Sequence, residues 1–162
     1  MIIINYLYKL NKIMKWNVYL SGEIHTNWRD EIKERSIKIN LPINFLEPIT
    51  DHKLSDDCGI KILGKENKNF WHDQKSANLN AIRTSTLIKK ADIIIVKFGN
   101  QYKQWNVAYD AGFAVALSKP LIIFHNDENQ HALKEIDASA HAVVKNVNQI
   151  ISILKYTIKG KI

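Results

Sequence analysis

The sequence predicts a single-domain α/β protein built on a five-stranded parallel sheet with helices on both faces. Three observations carry that prediction. Short apolar runs alternate with stretches of helical spacing, the rhythm of repeated βαβ units. The run Ile93-Ile94-Ile95-Val96 has no polar alternation, which marks a central strand covered on both faces. The 162 residues are enough to bury one core without disulfides or metals, and no internal repeat or low-complexity linker divides them.

The elements follow in order. Residues 1–13 are apolar but interrupted by lysines, and no small-residue cleavage site follows, so they read as an N-terminal extension. Met14 is an alternative start, and residues 14–162 form the domain. The first strand is expected from Trp16 to Ser21, a helix from Asn27 to Ile37 and the second strand from Ile43 to Leu46. Glu47 to Asp73 shows neither period and reads as irregular, either a functional lid or a missed element. A helix from Ala77 to Lys90 leads into the strand from Asp92 to Phe98. The next helix, Lys103 to Leu117, ends at the stop Ser118-Lys119-Pro120. A strand from Leu121 to His125, a helix from Asn129 to Ala138, a strand from Ala142 to Val144 and a helix from Val147 to Tyr156 complete the chain.

The formal net charge is +7, yet only Arg29, Arg35 and Arg83 are arginines, and the lysines are dispersed without interleaved aromatics. No nucleic-acid partner is expected. Cys58 is the single cysteine, and no apolar run approaches the about 20 residues of a membrane span, so a cytoplasmic protein with no membrane partner is expected.

In an open parallel sheet, ligands bind beyond the carboxyl ends of the strands where the strand order reverses. With the common order 2-1-3-4-5, the loops after strands one and three flank that point. The first runs Ser21-Gly22-Glu23-Ile24-His25-Thr26-Asn27-Trp28-Arg29-Asp30. Gly22 permits a tight turn, Thr26 or Asn27 caps the next helix, and Glu23 argues against a tightly bound phosphate. The second loop runs from Gly99 to Asn106; Gln104 and Asn106 can donate and accept hydrogen bonds, and Trp28, Trp71 and Trp105 offer stacking faces or core packing. His125, ending strand four, borders the same crevice.

Asp110 is the more specific signal. It lies about two turns into a helix among Ala108, Ala111, Gly112 and Ala114. A carboxylate there either belongs to a buried structural network or faces a cavity, because desolvation without partners is costly. His52, Asp56, Asp57, Cys58 and His72 lack the spacing of a metal site, so neither a metal nor a cofactor is expected, and Asp56 or Asp57 reads as a turn or ligand-contact residue.

Three segments together, Val18-Tyr19-Leu20-Ser21-Gly22-Glu23-Ile24, Ala91-Asp92-Ile93-Ile94-Ile95-Val96 and Val107 to Pro120, resemble the nucleoside 2-deoxyribosyltransferase superfamily. Gly22 to Asp30, Ser55-Asp56-Asp57-Cys58-Gly59 and Gln104-Trp105-Asn106 are similar to its YtoQ-type branch. The resemblance implies a flavodoxin-like, Rossmann-like sheet, a nucleoside or nucleotide-derived substrate, and a homo-oligomer whose site is completed across an interface. It places Asp110 where a carboxylate attacks the sugar C1′, with Tyr19 beside it. Ser21, Gly22, Ile24, His25, Trp28, Arg29, Gly99, Gln104, Trp105, Asn106 and His125 are the expected substrate-binding residues.

Three departures accompany it. Relatives usually carry Glu at position 110, and the missing methylene withdraws the carboxylate by about 1.5 Å. Thr84 stands where they place the acid that helps the base leave, and Gln104 where they hold a sugar hydroxyl with Asp. A threonine cannot protonate a leaving base, so Glu23 is the expected acid, with Asp73 and Glu66 in reserve. The alternative is a non-catalytic module that binds a nucleoside or nucleotide derivative on the same fold.

Overall fold

The computed structural model describes residues 15–101 and 104–162. The extension at 1–13, the alternative start at Met14 and the expected helix start at Lys103 lie outside the described residues.

In chain order the elements are β1 (Trp16–Gly22), α1 (Trp28–Lys38), β2 (Ile43–Leu46), α2 (His52–Leu63), α3 (Asn69–Lys90), β3 (Ile93–Lys97), α4 (Trp105–Ala116), β4 (Leu121–Phe124), a 3₁₀ turn (Asp127–Asn129), α5 (Gln130–Ala138), β5 (Ala142–Val144) and α6 (Val147–Lys159). All strand pairs are parallel and the order is β2-β1-β3-β4-β5, as the sequence predicts.

Strand alternation assigns each side chain to a layer. Val18, Leu20, Ile93 and Ile95 pack with α1 and α6 through Ile32, Ile150 and Leu154. Tyr19, Ile94 and Val96 face the other way, against Ile88 of α3 and Val107, Ala111 and Ala114 of α4. Ile94 and Ile95 have no exposed surface, each contributing about 1.5–3 kcal/mol of burial. Small residues on α4 let it lie close to the sheet, which brings Asp110 near the end of β1.

The segment from Glu47 to Asp73 is not irregular. It contains α2 and the first turn of α3, which begins eight residues before the expected Ala77. Asp51 caps α2, its side chain accepting from the Leu54 amide at 2.8 Å. Gly59 is the only buried residue of α2 and packs on Ser76 of α3, where a Cβ would lie 2.3 Å from the Ser76 amide nitrogen. Contact through Gly59 and Ser76 leaves no apolar stripe, and hydrophobic periodicity had nothing to detect.

At the other end of α4, Ser118 adopts φ 53°, the left-handed turn that the Ser-Lys-Pro stop anticipates. At the end of β1, Gly22 has φ 138° and a Cβ there would meet the Lys97 carbonyl oxygen at 2.3 Å. Only glycine permits this approach of β1 to β3 at the point where the strand order reverses.

Candidate active site

Asp110 sits on α4 opposite the last residues of β1, and Ser21 Oγ donates to its Oδ2 at 2.6 Å. Burial pushes its carboxyl up to about 6, the Ser21 hydrogen bond acting in the opposite sense. The carboxyl faces a cleft of about 510 Å³, a volume suited to a nucleoside-sized ligand. Ser21, Gly22, Ile24 and Asn106 line it, as do Arg83 and Thr84 of α3.

Tyr19 is fully buried beneath this floor. Its hydroxyl, beside Thr84 and Asp110, has no hydrogen-bond partner of standard geometry among the described residues. Burial first and the Asp110 charge second push the phenol far up, so it remains a protonated donor.

Glu23 does not fit the role of acid. It lines a second cleft of about 480 Å³ with His25, Gly99, Gln104 and His125, and not the Asp110 cleft. One carboxylate oxygen accepts from the amides of His25 at 2.6 Å and Thr26 at 3.1 Å, and the other accepts from the Thr26 hydroxyl and pairs with Lys97 Nζ at 3.0 Å. Burial alone would favour its neutral form. The bonds from Thr26, Lys97 and His25, with the Lys97 charge, prevail and hold it below the usual carboxylate range. An acid held ionised by four donors closes the β1 loop and has no proton to give.

That assignment predicts a pH-dependent loss of stability in Glu23→Gln. The folded-state pKa is depressed, so the stabilisation is present above the ordinary carboxylate range and disappears as pH falls through the folded value. At pH 7 the variant should be about 2 kcal/mol less stable in urea titrations, with the difference narrowing at low pH. An unchanged midpoint at pH 7 would refute this role.

Trp28 and Arg29, expected at the ligand, instead build the wall behind it. Trp28 is 2% exposed, donates from Nε1 to the Glu23 carbonyl at 3.0 Å and stands edge-on to Phe124. Arg29 is buried with its guanidinium 4.6 Å from the Trp28 ring centroid. It donates to the carbonyls of Leu20, Glu23 and Gly22 at 3.2, 2.7 and 2.7 Å. A strand end leaves its carbonyls without ladder partners, and one planar fork satisfies three of them.

The remaining expected residues divide between neighbouring hollows. Gln104 is drawn into its own loop, its oxygen accepting from the Gly99 amide at 3.0 Å and its nitrogen donating to the carbonyls of Gly99 and Gln101. His125 is held by the Asn126 carbonyl at 2.5 Å and by Asp137 at 3.1 Å. His25 and Gln104 also line a smaller hollow that shares Gly22, Ile24 and Asn106 with the Asp110 cleft. Trp105 is 74% exposed and does not line that cleft. Of the reserve acids, Glu66 pairs with Lys75 at 2.5 Å and Asp73 faces His72 at 3.3 Å; neither lines the cleft.

His52 and Asn80, not among the expected site residues, line the Asp110 cleft, as does Asp56, expected as a turn or ligand-contact residue. The available signal was the spacing His52, Ser55, Asp56, Gly59 after a capping Asp51, which puts them on one helical face.

A parallel 2-1-3-4-5 sheet with a desolvated carboxylate seated against the end of its first strand defines the class: a flavodoxin-like α/β protein with a candidate site at its switch point. The family model described as nucleoside 2-deoxyribosyltransferase YtoQ matches residues 19–158. A relative from Bacillus subtilis (strain 168), named uncharacterized protein YtoQ, is 46% identical over 143 residues, spanning 88% of this chain and 97% of that protein. The chain belongs to this YtoQ family. Among solved structures it is similar to the 2-deoxyribosyltransferase of Bacillus psychrosaccharolyticus, with TM-score 0.51, 18% identity and coverage of 85% of this chain and 95% of that one. It is also similar to a conserved protein from Enterococcus faecalis V583, with TM-score 0.57, 14% identity and coverage of 89% and 99%. At such identities the likeness establishes the fold.

Proposed function

We propose that this protein is a cytoplasmic enzyme acting on the N-glycosidic bond of a nucleoside or nucleotide derivative, by transfer or hydrolysis, with Asp110 as nucleophile. The observation that carries the reading is the Ser21-bonded, partly desolvated carboxylate of Asp110 facing a nucleoside-sized cleft, in a chain of this family. Ser21 engages Oδ2 and so fixes the carboxylate, leaving Oδ1 to attack C1′. The C1′–N bond breaks with its electron pair going to the base, and a glycosyl ester on Asp110 results. Water or an acceptor base then attacks C1′ and returns the electron pair to Asp110. Tyr19, protonated beneath the cleft, supplies a donor toward the carboxylate or the developing charge.

The experiment is incubation with 2′-deoxynucleosides and free bases, with and without a 5′-phosphate, following base exchange and free sugar. Binding without turnover would favour the second reading, a nucleoside-binding module. Thr84 favours that reading, because it lines the cleft where the superfamily resemblance implies an acid, and a threonine cannot protonate a base.

The same proposal includes a homo-oligomer. Tyr109 is 70% exposed, stacks on Phe113 at 6.2 Å and lines the cleft mouth, and Trp105 stands on the same helix. Aromatic faces of this kind are normally covered by a partner. Light scattering should give a mass above one chain; a single-chain mass at assay concentration would contradict it.

A further inference from the structure

We propose that His52, supported by Asp56, is the general acid that protonates the leaving base; this rests on the glycosidic reading of the Asp110 cleft. With threonine at position 84 and Glu23 held by its four donors, the proton must come from another group lining that cleft. Tyr19 is excluded because burial and the Asp110 charge both strengthen its hold on its proton. Arg83 does not release a proton in this range. Among the described residues, the remaining acid-base side chains of the lining are His52, Asp56 and the phenol of Tyr109. The Tyr109 ring is engaged in stacking on Phe113, with centroids 6.2 Å apart.

His52 and Asp56 lie one turn apart on α2, with Nδ1 of His52 3.9 Å from Oδ2 of Asp56. Their side chains remain 70% and 69% exposed, so neither is consumed by packing and both are accessible to a ligand. His52 also lines the adjoining hollow with Ile24, His25 and Asn106, which puts it at the junction beside the β1 loop. The nitrogen near Asp56 is Nδ1, which leaves Nε2 for the ligand. An imidazole can give a proton in one step and take one in the next, as a two-step glycosyl transfer requires. Asp56 is a positioning residue, its carboxylate lying on the Nδ1 side of the ring at ion-pair distance.

In the first step Asp110 bonds to C1′, the C1′–N bond breaks toward the base, and the His52 Nε2 proton moves to the base nitrogen, leaving neutral imidazole. In the second step the attacking water or acceptor N–H loses its proton to Nε2, and the imidazolium is restored. Every proton is returned within one cycle.

The test compares two substrates, a 2′-deoxynucleoside and its 7-methylated guanine analogue, whose base is already cationic and leaves without protonation. In the wild type both should turn over. His52→Gln should lower the first-turnover rate of base release from the ordinary deoxynucleoside by about 10²–10⁴ and from the methylated one by less than about tenfold. Asp56→Asn should show the same selectivity at smaller size, a split that a purely structural role does not produce. Circular dichroism would verify that both variants fold. Equal losses on the two substrates, or no loss on the first, would overturn the assignment and leave the Asp110 reading intact. Inactivity of the wild type on both substrates, each offered with and without a 5′-phosphate, would overturn that reading and this inference with it.

Discussion

Replacing Asp110 with alanine is expected to reduce base release and exchange by a factor of about 10³ or more, with ligand binding largely kept. The variant removes the atom that bonds to C1′ and leaves the cleft walls in place. Ser21, Asn106 and Thr84 remain to hold the ligand, so the loss should fall on kcat more than on KM. A pH profile gives a second readout. Burial raises the Asp110 carboxyl to about 6, and only the ionised form attacks. The rate should therefore climb with pH through that value, because only about a tenth of the carboxyl is ionised at pH 5. Retained activity in Asp110→Ala would show that another carboxylate carries the reaction.

Asp110→Asn is expected to stabilise the fold at alkaline pH, by about 3 kcal/mol at pH 8. The folded-state carboxyl titrates near 6 against 3.8 for the ordinary group. With the folded value raised, the native state holds its proton more tightly than the unfolded chain. The favourable contribution is complete below 3.8 and is lost as pH rises through 6, so ionised Asp110 opposes folding at pH 8. Asparagine removes that charge and still accepts from Ser21. Guanidinium titrations should show the gain at pH 8 shrinking toward pH 5. A variant less stable than wild type at pH 8 would mean that the carboxylate is a structural anchor. The expected pattern, an inactive protein of greater stability, is what a site maintained for chemistry produces.

The sheet was legible because parallel strands covered on both faces leave uninterrupted β-branched runs, and Ile93 to Val96 is such a run. Asp110 was legible for the converse reason: one acid among alanines and glycine contradicts its surroundings. The roles of Glu23, Trp28 and Arg29 were not legible, although the segment containing them was. Trp28 faces inward because α1 packs on β1 through that turn, and Arg29 finds three carbonyls only because β1 ends there. The α2 segment was hidden because glycine and serine contacts have no hydrophobic period, and with it was hidden its contribution of His52 and Asp56 to the site.

The sequence by itself determined the order of the strands and of every helix except α2, the glycine at the switch point and the acid in α4. Those follow from burial, backbone freedom and desolvation, each of which acts on residues near one another in the chain. Only the tertiary structure decided which polar groups satisfy the protein and which face the ligand. Hydrogen bonds between distant residues made that choice: Lys97 and the residues 25–26 closed around Glu23, while Ser21 reached Asp110 across 89 positions of sequence and left it facing the cleft.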